Sequence, residues 1–205
     1  MKYMEDIGKK VADAVRYFRD NRATLTRHGP LEVLDWRRPD TVVCSVRIVF
    51  DIGYPNAAYI TGDLGEAIIR PTCKASLASM ASCFTRRGEN GDLEVNCGYF
   101  MEKIATAGDR YEWSREDFVE DFKGRCAECG LTPPEDFLDE LDDYLSPVEF
   151  FDDKPPVISV DVQRDPEEMD RDYWEWIYDC GKRVSSRVIA WLVALRLAAE
   201  QLEVL

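Results

Sequence analysis

Val42-Val43-Cys44-Ser45-Val46-Arg47-Ile48-Val49-Phe50-Asp51 decides the fold class. Val42, Cys44, Val46, Ile48 and Phe50 share one face and Ser45, Arg47 and Asp51 the other, the two-residue period of a half-buried strand. Two shorter strands are predicted downstream at 57–61 and 66–70, joined by Gly62-Asp63-Leu64-Gly65. Gly62 and Gly65 suit a tight hairpin, with Gly65 at positive φ and Asp63 bonding the turn backbone, so Gly62, Asp63 and Gly65 read as a structural turn. The expectation is an antiparallel meander of about three strands.

Helical spacing surrounds this sheet. Ile7, Val11, Val15 and Phe18 recur at four- and three-residue steps, predicting a helix over 4–19, and the pattern breaks at Gly29-Pro30. Helices are expected at 75–84 and 100–106, separated by a turn-rich loop at 86–92 that reads as a flexible tip. Ser114-Arg115-Glu116-Asp117 has the form of an N-cap with acidic first-turn residues, placing a helix from there to Cys129 and ending it at Gly130. Pro133-Pro134 opens another, with Phe137, Leu138, Leu141, Tyr144 and Leu145 on one stripe. Glu135, Asp136, Asp139, Glu140, Asp142 and Asp143 fall opposite that stripe. Residues 157–162 read as a strand or an extended linker.

From Pro166 the chain reads as helix almost to its end, with a bend at Gly181. Trp174, Ile177, Gly181, Val184, Val188, Trp191, Leu195, Ala198, Leu202 and Leu205 alternate steps of three and four. Such a seam needs a helical neighbour, either this chain's own helices or a second copy. Gly and two Trp at seam positions favour the former. The fold class is therefore α+β: a small antiparallel meander packed with several helices, ending in a long C-terminal helix. One domain is expected, with a sheet-containing core at 34–113, an acidic, mainly helical segment at 114–172 and a helix at 173–205.

Charge is unevenly placed. Of 40 Asp and Glu and 26 Lys and Arg in the 205 residues, the stretch 114–172 holds 20 acids against 6 bases, the whole of the net −14. Such a field repels nucleic acid and lipid headgroups and steers basic surfaces toward it, although a solubilising role needs no partner. The longest uncharged apolar run, 188–195, is too short to cross a bilayer. Seven cysteines, an odd number, and no basic-then-apolar opening predict free thiols in the reducing cytoplasm.

Catalytic signatures are sparse. Cys126-Ala127-Glu128-Cys129 has a zinc-like or redox spacing but lacks a second half, and reads first as two helix-packing cysteines. The single histidine, His28, stands in a turn-like context, which argues against triad hydrolases. Asp40 with Asp152, Asp153 and Lys154 is the nearest approach to a nuclease-like carboxylate site. Trp36-Arg37-Arg38 is either a clamp for a nucleotide or carboxylate or the turn that leads into a strand. No cofactor is expected, as no phosphate-binding or dinucleotide fingerprint is present.

Trp36-Arg37-Arg38-Pro39-Asp40-Thr41, the strand after it, and Tyr59-Ile60-Thr61-Gly62-Asp63-Leu64-Gly65-Glu66-Ala67 resemble a family of uncharacterised bacteriophage and prophage proteins. Tyr99-Phe100-Met101-Glu102-Lys103 is similar to the segment that follows in that family, and the resemblance covers 34–104. It implies a phage or mobile-element origin and carries no catalytic assignment. Joined to the charge placement, it leads to the expectation of a non-enzymatic binding protein in the cytoplasm of a bacterial host. Glu135, Asp136, Asp139, Glu140, Asp142 and Asp143 would occupy the basic surface of a nucleic-acid-binding defence protein, in the manner of an anti-CRISPR. The protein itself would bind neither nucleic acid nor membrane. The alternatives are the carboxylate metalloenzyme and an accessory protein that self-associates through its C-terminal helix.

Overall fold

The computed structural model describes residues 2–108, 110–130, 176–177 and 179–205. The chain divides into two compact units, Met1–Arg110 with Val184–Leu205, and Tyr111–Arg183. The second is thus inserted in sequence within the first.

The first unit is an α+β layer structure. It opens with α1 (Lys2–Tyr17), followed by β1 (Arg22–His28), β2 (Leu31–Arg37), β3 (Val46–Asp51), β4 (Ala57–Gly62) and β5 (Ala67–Ile69). Next come α2 (Leu77–Phe84), a hairpin of β6 (Thr85–Arg87) and β7 (Leu93–Val95), α3 (Cys97–Lys103) and β8 (Ile104–Ala107). The main sheet runs β1-β2-β3-β4-β5-β8, antiparallel throughout. Its inner face buries Leu34, Trp36, Val46, Ile48, Phe50, Ala58, Ile60, Ala67 and Ile69. On the outer face the register lines up Thr26, Val33, Val49, Tyr59, Ile68 and Thr106 in one row.

The meander therefore has twice the expected number of strands. β1 was hidden because it lies at the sheet edge, with only Ala23 and Leu25 half-buried among polar residues. In β2 a carboxylate breaks the hydrophobic alternation: Glu32 faces inward beside Leu34 and Trp36 and is 7% exposed. Its carboxylate accepts from the Leu77 N–H at the start of α2 (3.3 Å) and from Arg27 Nε (3.1 Å), so the buried charge is compensated by a helix N-terminus and a guanidinium. The expected strand at 42–51 begins only at Val46; Val42 and Val43 are exposed and Cys44 has φ +63°. The segment expected as a helix at 100–106 is α3 followed by β8. Of the turn-rich stretch at 86–92, Arg86 and Arg87 belong to β6 and residues 88–92 form the turn of the β6–β7 hairpin, whose strands are held by Arg86 Nε to Glu94 (2.6 Å) and Arg87 to Glu200 (2.6 and 2.8 Å).

The last helix, α5 (Ser186–Gln201), closes the core. Its residues Val188 through Leu195 are all buried, with Ala198 and Ala199, and it packs against α1, α2, β1 and the β6–β7 hairpin. A helix apolar on nearly every face belongs at the centre of a core, which explains why the seam at Val188, Trp191, Leu195 and Ala198 is satisfied by the chain's own elements. Among the described residues no helix is long and apolar enough to cross a membrane.

The second unit contains β9 (Tyr111–Trp113), α4 (Arg115–Glu128) and Lys182 and Arg183 of β10 (Lys182–Val184), the strand that pairs with β9. The sequence reading of α4 holds at both ends: Ser114 Oγ accepts from Asp117 N (3.0 Å), Cys129 caps the helix, and Gly130 follows at φ +71°. Phe118, Phe122 and Cys126 form its buried stripe. The continuous helix expected from Pro166 onward is corrected. Gly181 takes φ +72°, β10 follows, and Ser185 caps α5 afresh. A Cβ at Gly181 would lie 2.9 Å from Phe118 backbone, so close packing and the left-handed turn both require glycine there. The helix expected after Pro134 and the strand expected at 157–162 lie outside the described residues.

Candidate functional site

The residues singled out by sequence separate into three places. The first is the hairpin between β4 and β5. Gly62 has φ +138° and Gly65 φ +93°, as glycine allows. Asp63 does not serve its own turn. Its carboxylate accepts from Cys44 N (2.6 Å), Ser45 N (2.5 Å) and Ser45 Oγ (3.1 Å), fastening the β2–β3 loop to the hairpin. Trp191 Nε1 donates to Leu64 O (3.1 Å) and ties the same hairpin to α5. The neighbouring Cys44 side chain first, then burial and the Asp63 charge, push the Tyr17 phenol up to about 12. Tyr17 also stands between two shallow concavities, one lined with Arg16, Arg19 and Arg38, the other with Ala14, Leu64 and Ala190.

The second place is the Trp36 segment. Trp36 is 2% exposed, with its ring edge-on to Phe18 (centroids 5.9 Å apart), so it is a core residue and offers no stacking face to a ligand. Arg37 is exposed and Arg38 half-buried. Asp40 lies exposed in the same loop at φ +59°. Asp152, Asp153 and Lys154 lie outside the described residues. His28 ends β1, exposed, opposite Leu31.

The third place is the acidic unit. Helix α4 exposes Glu116, Glu120 and Glu128 away from its Phe118–Phe122–Cys126 stripe. A concavity of about 410 Å³ beside it is lined by Glu120, Asp121, Arg125, Glu128, Trp176 and Asp179. Arg183 bonds Asp121 through both terminal nitrogens (2.7 and 3.0 Å) and lies 3.5 Å from Asp117, holding two carboxylates of α4 against the strand. Cys126 is buried and Cys129 exposed, and burial raises the Cys126 thiol above its ordinary range. Burial, with Asp121 next, raises Cys180 to about 12. Among the described residues no group of three or more His, Cys, Asp or Glu is arranged to hold a metal ion. Glu135, Asp136, Asp139, Glu140, Asp142 and Asp143 lie outside the described residues.

No family model, curated protein or solved structure matches the chain. The partition of charge between the units is the feature that bears on function. The unit formed by Met1–Arg110 and Val184–Leu205 holds 18 Lys and Arg against 17 Asp and Glu; Tyr111–Arg183 holds 8 against 23. Sequence alone located the acidic stretch but not its coincidence with a separate compact unit, because that boundary depends on long-range contacts.

Proposed function

We propose that this is a phage-encoded acidic binding protein that inhibits a host nucleic-acid-binding defence protein, of the anti-CRISPR kind, by occupying its basic surface in the host cytoplasm. The observation that carries the reading is that one compact unit holds the whole net negative charge while the other is close to neutral. A surface charge needed only for solubility has no reason to be confined to one unit; a surface presented to a basic groove does. The exposed Glu116, Glu120 and Glu128 of α4 supply part of that surface. Glu135, Asp136, Asp139, Glu140, Asp142 and Asp143 continue the acidic series in sequence. The phage origin rests on the resemblance across 34–104.

The test is competition. Proteins retained by the native chain from a bacterial lysate are assayed for nucleic-acid binding, and the chain is titrated against a labelled oligonucleotide bound to each. The reading expects displacement that weakens with salt, because opposed surface charges are screened within about 8 Å at physiological ionic strength. It also expects displacement to fall at least tenfold when Glu135, Asp136, Asp139 and Glu140 are reversed to lysine. Displacement indifferent to both salt and reversal would overturn it.

A further inference from the structure

Val42 and Val43 are turned outward by a loop that is fastened in place. They are 75% and 56% exposed, although the alternation of Val42, Cys44 and Val46 would put Val42 on the buried face. Asp40 (φ +59°) and Cys44 (φ +63°) bracket the pair, a left-handed backbone that residues other than glycine rarely adopt. Val43 N donates to Thr41 Oγ1 (3.0 Å), the Asp63 carboxylate accepts from Cys44 N and Ser45 N, and Asn21 Nδ2 donates to Cys44 O (2.8 Å). Asn21 N donates in turn to Phe18 O (2.9 Å), so the loop is tied to the chain just past α1. There Arg38, where the loop begins, shares a concavity of about 300 Å³ with Asp13, Arg16, Tyr17 and Arg19. Arg16 pairs with Asp13 (2.5 Å) and Arg19 with Asp20 (3.4 Å), but the Arg38 guanidinium stands 3.9 Å from Asp20 and its buried Nε has no hydrogen-bond partner. Of the six large apolar side chains exposed among the described residues, Tyr17, Val42 and Val43 thus belong to one corner, edged by guanidiniums. A fixed apolar knob with a cationic rim is a surface prepared for contact.

The acidic unit has the converse shape. Its concavity of about 410 Å³ beside α4 sets the carboxylates of Glu120, Asp121, Glu128 and Asp179 against the guanidinium of Arg125. Trp176 supplies an aromatic wall. Gly124 also lines it, within α4, where glycine weakens a helix and where an added Cβ would meet nothing within 4 Å. Packing among the described residues does not require that glycine; an open concavity does.

We infer that the protein associates with itself head to tail, the Val42–Val43 corner of one copy seated in the α4 concavity of the next. The valines and Tyr17 then cover Trp176 and Gly124, and the arginines beside them meet the carboxylates of the rim. Charge selects this arrangement over a symmetric one. Each acidic unit holds 23 Asp and Glu against 8 Lys and Arg, so two of them repel, whereas the near-neutral unit approaches an acidic one without that cost. The two halves of the contact are different patches, and every copy carries one of each, so copies add until a ring closes. The association stands apart from the proposed host target, since purified protein alone is enough to show it.

Sedimentation equilibrium of the purified full-length protein should give a mass that rises above the 23.6 kDa of one chain as its concentration increases. Val42→Asp with Val43→Asp spoils the corner at two exposed positions. Gly124→Leu fills the concavity, leaves the charge untouched and favours the helix. Each variant alone should associate about tenfold or more weakly than the native protein. Mixed, the two should form a pair and stop at two chains, because only the corner of Gly124→Leu and the concavity of the valine variant remain intact to meet. That product also shows that both variants are folded. A native mass of one chain up to about 1 mM overturns the inference. Native-like association of either variant does so too, as does a mixture of the two, each melting cooperatively, that stays monomeric.

Discussion

At Gly62 an added Cβ would stand 2.4 Å from the Ser45 carbonyl oxygen, on a backbone at φ +138° that side chains rarely adopt. Neither obstacle can be relieved by a rotamer, since the opposing atom is backbone and the Asp63 carboxylate holds that loop in place. Gly62→Ala is therefore expected to cost roughly 2–4 kcal/mol of stability, read from urea denaturation as a lower midpoint at unchanged slope. A loss under about 0.5 kcal/mol, the range of ordinary surface substitutions, would mean that the loop yields freely. The glycines and the tight turn were legible in Gly62-Asp63-Leu64-Gly65 because a glycine-bounded pair between strands has few other uses. The partner of Asp63 was not. It lies in another loop, and the unbroken alternation of Val42, Cys44 and Val46 in sequence gives no sign that Cys44 is turned to φ +63° to meet it.

Among the elements, α5 and the β6–β7 hairpin are joined by one carboxylate. Glu200 accepts from Arg87 Nε (2.8 Å) and Nη2 (2.6 Å) and from Arg196 Nε (2.6 Å). The bond to Arg87 first, with Arg196 adding to it against the opposing effect of burial, lowers its carboxyl from the ordinary 4.5 to about 2. Because the folded state holds the proton more weakly than the unfolded chain does, the contribution is fully present above pH 4.5 and is lost as the pH falls toward 2. Glu200→Gln should accordingly be less stable than the native protein by about 1 kcal/mol at neutral pH, the upper end for a largely surface pair. That difference should shrink through the acid range, as followed by thermal melting from neutral pH downward. A gap that stays constant with pH would assign the effect to lost packing. No local pattern announced this link, which joins residues far apart in sequence. By contrast, α1 and α4 were legible in position and nearly to their ends, since amphipathic period and caps are local. β1, β2 and β8 were missed because an edge strand, a buried Glu32 and a short strand following a helix each suppress alternation.

For the whole molecule, the arrangement of the chain predicts that the near-neutral unit folds without the acidic one. Among the described residues, the contiguous core cluster is drawn from Met1–Arg110 and Val184–Leu205, from Val11 and Phe18 through the inner sheet face to Ala198 and Ala199. The chain leaves this unit at Arg110 and returns at Val184, and next to these ends Ser185 N donates to Arg110 O (3.0 Å). A short Gly/Ser linker can span such a gap at little entropic cost, because closure grows only slowly with loop length. Replacing Tyr111–Arg183 by that linker should leave a monomeric protein with 18 Lys and Arg against 17 Asp and Glu, and so an isoelectric point near neutrality in place of about 4.6. It should keep sheet and helix signals in circular dichroism and one cooperative thermal transition. It should also lose the competition with oligonucleotide proposed above, since the charge that drives it has been removed. A collapsed product without a cooperative transition would show that the core depends on the inserted unit. A folded product that still competes would move the binding surface onto the near-neutral unit, where Tyr17 and the arginines around it are the first residues to replace.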